Sequence, residues 1–217
     1  MNQREEFQTA IFDLDGTLLD SIGVWAAVDA EFLGRRGIPM PDDYIEMIHS
    51  MENHVAADYT KSRFGLTDTP ESIIGEWFDI AREDYAHKVV LKAYVREYLE
   101  MLKGQGVHIT GATSSDPQLF EPALSHNGIL SYFDHIATVR DVNGRGKEYP
   151  DVYEEAARSV HSQPSDSVVF EDILKGIRGA KSGGFYTVGV YDLHSDHEKR
   201  EIIKQADQYI HNFGELL

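Results

Sequence analysis

A short apolar run, Phe7-Gln8-Thr9-Ala10-Ile11-Phe12, ends abruptly in Asp13-Leu14-Asp15-Gly16-Thr17. A fully buried parallel strand reads as such a run. Asp13 and Asp15 are two apart, so on an extended backbone their side chains leave on the same face. Gly16 then supplies the permissive backbone that a sharp turn needs. The stretch reads as a core strand delivering two acids to the carboxyl edge of a sheet, where ligands bind in open α/β folds. The plain alternative is a strand end with solvated aspartates, and the stretch alone does not choose between them.

The rest of the chain supplies the context. From 22 to 88 the pattern is helical throughout. Helices are expected over 24–33, from Pro41 through Ile48, over 52–63, and from Pro70 through Tyr85, with no convincing strand among them. After Lys88 the rhythm changes. Strands are expected over 107–113, 135–138, 167–170, 186–190 and 208–210. Helices are expected between them, over 94–102, 115–127, 150–160 and 173–181. Strands alternating with helices imply βαβ units and a parallel sheet. The expected fold is therefore α/β: a Rossmann-like parallel sheet flanked by helices, with an inserted all-helical domain. The core would be 1–21 and 89–217, and the insert 22–88. Placed straight after the first strand, the insert would hang over the carboxyl edge of the sheet as a lid. Its crossings near Ser21-Ile22-Gly23 and 88–92 would serve as the hinge.

Composition narrows the function classes. The formal charge is −17 over 217 residues, which argues against nucleic acid, since phosphate backbones are held by basic patches. An anionic substrate would need a local cation, either a metal or a placed lysine. The absence of cysteine removes disulfides, thiolate nucleophiles and Cys–zinc sites. No run of eighteen apolar residues exists and the N-terminus lacks a signal-peptide core, so no membrane span and a cytoplasmic location are expected.

Three more stretches fall at strand-to-helix junctions. Thr113-Ser114-Ser115 offers hydroxyls and free backbone N–H groups, an anion site or an ordinary helix cap. Gly146-Lys147-Glu148-Tyr149-Pro150-Asp151 places a lysine in a glycine-rich loop before a helix. Phe170-Glu171-Asp172 ends another apolar strand in two acids. Alone, the first two read as an ordinary helix cap and a surface lysine in a flexible loop; the acid pair reads less readily as solvated loop acids, because uncompensated acids gathered at one sheet edge would repel each other.

Taken together, DxDGT, a strand-end Thr, GKxxPD and EDxxxGI resemble the haloacid dehalogenase superfamily. The resemblance is to the branch with a helical cap after the first strand, in the β-phosphoglucomutase and phosphoglycolate phosphatase-like group. It implies Asp13 as nucleophile, forming an aspartyl-phosphate, and Asp15 as general acid and then base. It implies Mg²⁺ held by Asp13, the Asp15 backbone carbonyl and Asp172, with Glu171 direct or through water. Thr113 and the Ser114 N–H would hold phosphoryl oxygens, and Lys147 would neutralise charge between Asp13 and the phosphoryl group. The partner implied is a small phosphorylated substrate, and the chain is expected to act as a monomer. Asp15 favours phosphoryl chemistry over halide displacement.

Departures from the family bear on substrate. The cap histidine of the mutases falls on Trp25 here, which reads as a core side chain of the first insert helix. Their cap arginine falls near Glu52, where an acid would not help hold a second phosphate. The Pro-Gly pair usual before the next helix is replaced within Val90-Leu91-Lys92-Ala93-Tyr94. Glu148, beside Lys147, is expected to point outward. His194 and His197 have a metal-like spacing but read as the start of a surface helix. The reading is a phosphatase for a small phosphorylated metabolite. The alternatives are a β-phosphoglucomutase-like phosphomutase and a catalytically weak protein that binds a phosphorylated metabolite.

Overall fold

The computed structural model describes residues 7–21, 23–48, 51 and 53–217. Ile22 and Glu52, invoked above for the hinge and the mutase arginine, lie outside them. The chain divides into two compact units, Met1–Ile22 with Val90–Leu217, and Gly23–Val89.

The first unit is built on strands β1 (Thr9–Phe12), β4 (His108–Thr113), β5 (His135–Thr138), β6 (Ser167–Glu171), β7 (Tyr186–Val190) and β8 (Gln208–Ile210). They form one parallel sheet in the order β5-β4-β1-β6-β7-β8. The chain steps outward from β1 to β5 on one side, then returns to β6 and steps outward on the other. That reversal makes the carboxyl end of β1 a topological switch point.

Side-chain alternation sorts the core into two faces. Ile11, Ala112 and Val169 point toward Val152, Tyr153 and Ala156 of α7 (Asp151–Ser159) and Ala180 of α8 (Leu174–Ser182). Phe12 and Phe170 point the other way and stack at 4.6 Å with 12° between planes. Tyr98 of α5 (Val95–Gly104) and Phe213 close this second cluster. Such ring pairs each add about 0.5–1.5 kcal/mol beyond the area they bury. The remaining helices of this unit are α6 (Pro117–His126) and α9 (Lys199–Gln205). The α6 helix starts at an Asp116 cap whose carboxylate accepts from the Gln118 N–H at 2.9 Å.

Two short elements escaped the sequence. β2 (Leu19–Asp20) and β3 (Val90–Leu91) pair antiparallel, tying the outgoing chain to the returning one. Two residues per strand carry no periodicity to read. The turn before β2 is closed by the Leu18 and Leu19 N–H groups on the Leu14 carbonyl and by the Gly16 N–H on the Leu19 carbonyl, at 2.8–2.9 Å. Gly16 has φ +86°, which its missing Cβ allows. At the return, Tyr94 adopts φ +64°, unusual for a bulky residue, and its ring lies against Gly214.

The second unit contains α1 (Val24–Arg35), α2 (Tyr44–Ile48), α3 (Asn53–Phe64) and α4 (Pro70–His87). Thr69 caps α4, accepting from the Ser72 N–H at 3.2 Å, with Pro70 in the first turn. α4 packs on both α1 and α3, and Ile73, Trp77, Ile80 and Ala81 are buried with Val28, Phe32 and Leu33. Trp25 departs from the expectation of a core side chain. It is 38% exposed, with its ring centred 5.7 Å from that of Phe78 in a T-shaped pair, because it precedes the buried stripe that begins at Val28. No helix among the described residues is long and apolar enough to cross a membrane.

Candidate active site

β1 ends at Phe12, but the Asp13 N–H still donates to the Phe170 carbonyl at 3.0 Å, so the ladder reaches one residue further. Alternation therefore places Asp13 on the α7/α8 face with Ile11, and Glu171 beside it with Val169. Parallel register puts Phe12 opposite Phe170, which brings Asp13 level with Glu171 on the neighbouring strand. Asp15 stands where the chain enters the turn that runs through Gly16 to Leu19. Its carboxylate accepts from Ser21 Oγ at 2.5 Å.

Asp13, Glu171 and Asp172 each offer a carboxylate oxygen within 4.8 Å of the others, and all three are buried. Lys147, 3% exposed, donates from Nζ to Asp13 Oδ1 and to Glu171 Oε1, the latter at 2.6 Å. Tyr153 Oη donates to the same Glu171 oxygen at 2.8 Å, and Thr17 Oγ1 donates to Asp172 Oδ1 at 3.3 Å.

Two glycines on α8 make this geometry possible. A Cβ on Gly176 would collide with the Glu171 carboxylate, and one on Gly179 would collide with the Lys147 backbone carbonyl. Three residues apart, they share one helix face. The loop presenting Lys147 is braced by Arg145, which lies 4.4 Å over the Tyr149 ring and 3.1 Å from Asp151. Glu148 is exposed, its carboxylate folded over Gly146 rather than into the cluster.

One lysine among three carboxylates leaves a surplus of negative charge. Burial pushes Asp13 up to about 6, against the pull of Lys147. Asp172 is raised well above the usual carboxylate range, first by burial and then by the charges of Asp13 and Glu171. Burial pulls Lys147 down, but Asp13 and Glu171 more than offset this and hold the ammonium above its ordinary value. Glu171 Oε2 is buried with no hydrogen-bond partner. A hard divalent cation fits this set: three oxygen donors converge, excess charge is unbalanced, and one buried carboxylate oxygen is unused.

Thr113 and Ser114 stand one strand away, at the end of β4, outside the hydrogen-bonded cluster. Thr113 is buried and its Oγ1 accepts from the Ser115 N–H at 3.0 Å; Ser114 is exposed. The register pairs Gly111 with Phe12, so Thr113 lies just past the level of Asp13 on the adjacent strand. His194 and His197 form no metal-ligand group among the described residues; His197 Nδ1 lies 3.0 Å from the His194 carbonyl. The sequence reading missed Tyr153, Thr17, Ser21 and the two α8 glycines as site residues. Tyr153 sits at an apolar-periodic position of α7 and so reads as core. Thr17 and Gly176 had a signal, as the last residue of DxDGT and as the glycine of EDxxxGI.

A parallel sheet that gathers acids and a lysine at its switch point defines an α/β protein with a candidate active site at the carboxyl edge of the sheet. The chain belongs to the haloacid dehalogenase-like hydrolases, whose family model matches residues 10–190. It is 29% identical to a validoxylamine A 7'-phosphate phosphatase of Streptomyces hygroscopicus subsp. limoneus, over 97% of this chain and 96% of that protein. It is 23% identical to a phosphorylated carbohydrates phosphatase of Thermotoga maritima, over 91% and 90% of the two chains. The crystal structure of a putative β-phosphoglucomutase from Thermotoga maritima superposes with a TM-score of 0.85 at 23% identity, covering 94% of each chain. That last likeness concerns the fold.

Proposed function

We propose that this chain is a Mg²⁺-dependent phosphatase of a small phosphorylated metabolite, a sugar phosphate or a close analogue. The observation that carries the reading is the buried bridge from Lys147 to both Asp13 and Glu171 at the switch point of the sheet. The names of the two phosphatase relatives, one of validoxylamine A 7'-phosphate and one of phosphorylated carbohydrates, support it.

In this reading a carboxylate oxygen of Asp13 attacks phosphorus in line. The bond between phosphorus and the ester oxygen breaks, and Asp15 gives its proton to the departing alkoxide. Water then attacks the aspartyl-phosphate, giving a proton to Asp15. The bond from Asp13 to phosphorus breaks and inorganic phosphate leaves, restoring both acids. Ser21 holds the Asp15 carboxylate in place for both transfers. Lys147 balances charge at Asp13, and Thr113 with the Ser114 N–H would receive the phosphoryl oxygens. Asp13, Asp172 and the Asp15 carbonyl would hold Mg²⁺, with Glu171 direct or through water. When bound, the ion supplies charge neutralisation between phosphate and acids. The helical unit is proposed as the cap.

The test is release of inorganic phosphate from a panel of phosphorylated metabolites, with Mg²⁺ or with EDTA, for the wild type and Asp13→Asn. The expected result is Mg²⁺-dependent turnover that falls about a hundredfold or more in the variant. Equal rates in the two proteins would leave a binding protein as the better reading. β-Glucose 1-phosphate with a bisphosphate primer separates the mutase: conversion to glucose 6-phosphate faster than hydrolysis would replace the phosphatase reading.

A further inference from the structure

Lys92 lies between β3 and α5, where the chain re-enters the sheet unit. Its ammonium donates to the Gly16 carbonyl at 2.6 Å, the Tyr191 carbonyl at 2.5 Å and Asp192 Oδ2 at 2.9 Å. An ammonium has three donors, and all three are used. The Lys92 backbone N–H also donates to the Leu18 carbonyl at 2.9 Å. Lys92 and Asp192 are both largely buried, with side-chain exposures of 16% and 6%.

The acceptors belong to two stretches far apart in sequence. Gly16 is the pivot of the turn that follows Asp15, and Tyr191 and Asp192 open the loop after β7. Without Lys92 the Gly16 carbonyl would lose its ion-strengthened partner, and Asp192 would be a buried carboxylate with no cation. Hydrogen bonds from a charged donor are about twice as strong as neutral ones. The residue stands in the stretch where the family's Pro-Gly pair is missing. Tyr94 takes the left-handed backbone two residues on.

We propose that Lys92 is a positioning residue for the reaction at Asp13: its ammonium clamps the Gly16 carbonyl to the loop after β7 and so holds the turn that carries Asp15. This rests on the phosphatase reading for its effect on rate, but the clamp itself has a readout independent of turnover.

The experiment compares the wild type with Lys92→Met and Lys92→Cys, following kcat, KM, thermal stability and amide hydrogen exchange over 15–19. The chain has no native cysteine, so Lys92→Cys carries a single thiol. A cavity of about 270 Å³ bordered by Lys92, Asp20, Leu91 and His211 gives a reagent access to it. Alkylation with 2-bromoethylamine rebuilds a side chain of lysine length and charge; iodoacetamide builds a neutral one.

Both neutral variants are expected to lose about tenfold or more in kcat with KM changed less than about threefold, since a small misplacement near the reacting atoms is costly. Turn amides in these variants are expected to exchange about tenfold faster than in the wild type. Bromoethylamine is expected to restore about half or more of kcat and the slow exchange, and iodoacetamide neither. Wild-type kcat and exchange in folded Lys92→Met, or equal rescue by iodoacetamide, would overturn the proposal. If neither variant folds, Lys92→Arg decides, because it keeps the charge without three donors on one nitrogen. A fall of about threefold or more in kcat supports the clamp, and wild-type kcat and exchange overturn it. If the wild type releases no phosphate from any compound, the phosphatase reading fails, while exchange over 15–19 still decides the clamp.

Discussion

The backbone carbonyl of Lys147 rests against Gly179 of α8, so close that a Cβ on the glycine would overlap the carbonyl oxygen and lie 2.9 Å from the Tyr149 carbonyl. Both atoms in the way are backbone, and neither can swing aside. Replacing a mid-helix glycine by alanine ordinarily gains about 1 kcal/mol of helix propensity. At Gly179 the overlap reverses the sign. Gly179→Ala is expected to lose about 1–3 kcal/mol of stability in urea unfolding. It should also lower kcat by moving Lys147 off Asp13. A variant as stable and as active as the wild type would show that the loop yields freely.

Lys147 is the one cation bonded within the buried carboxylate cluster among the described residues. Removing one partner of a buried ion pair costs about 3–5 kcal/mol, because the remaining charge is left unpaired. Lys147→Met is therefore expected to lose about 3 kcal/mol of unfolding free energy without divalent ions, read by chemical denaturation. Millimolar Mg²⁺ should return part of it, since a cation placed among the three acids replaces the missing charge. Turnover should stay at least about a hundredfold below wild type even then. A variant of unchanged stability, indifferent to Mg²⁺, would contradict the charge surplus.

Ser21 donates to the Asp15 carboxylate from the far end of the 16–19 turn. A hydrogen bond to a charged group contributes about 1.5–3 kcal/mol, and this one also fixes where the proton carrier points. Ser21→Ala is expected to lower kcat by about tenfold and leave KM within about twofold, with most of the loss in the step that needs Asp15 protonated. An unreactive leaving group makes this visible: alkyl phosphates should be hit harder than aryl phosphates. An equal loss on both would assign Ser21 to the fold of the turn alone.

Much of the sheet was legible because its strands announce themselves. The β5, β7 and β8 bounds fall on the expected spans, short β-favouring runs that each follow a polar or glycine-rich turn, and β1 lies in the apolar run ending in Asp13. Asp13, Lys147, Glu171 and Asp172, which the structure brings together, stand out in the sequence because they are chemistry-bearing residues at strand-to-helix junctions. What stayed hidden depends on contacts between stretches. Tyr153 looks like any core aromatic until Glu171 is beside it, and Lys92 looks like a surface lysine until Gly16 and Asp192 are. The β2–β3 pair is too short to have a period. Trp25 reads as packing because it is an aromatic on an apolar-looking helix, while the buried stripe of α1 runs through Val28, Phe32 and Leu33.

Asp29 lies within that stripe, 7% exposed, between Val28 and Phe32 on α1. Burial pushes its carboxyl up to about 7 from the ordinary 3.8. Between those two values the unfolded chain gives up a proton that the folded chain keeps. The folded state then binds more protons, so stability falls as pH rises through this window. The contribution is fully present below the lower value and is lost as pH passes the upper one. At 1.36 kcal/mol per pKa unit the loss is at most about 4 kcal/mol. Tyr44, whose phenol feels the Asp29 charge, is itself pushed up to about 12 by burial and does not titrate in the same window. Asp29→Asn preserves the shape and removes the proton. Its unfolding free energy, measured against wild type from pH 4 to pH 8, isolates this one group because all others titrate in both proteins. The variant is expected to gain on the wild type as pH rises to about 7 and to gain little beyond it. A difference that stays constant with pH would mean that Asp29 ionises in the folded unit as easily as in water.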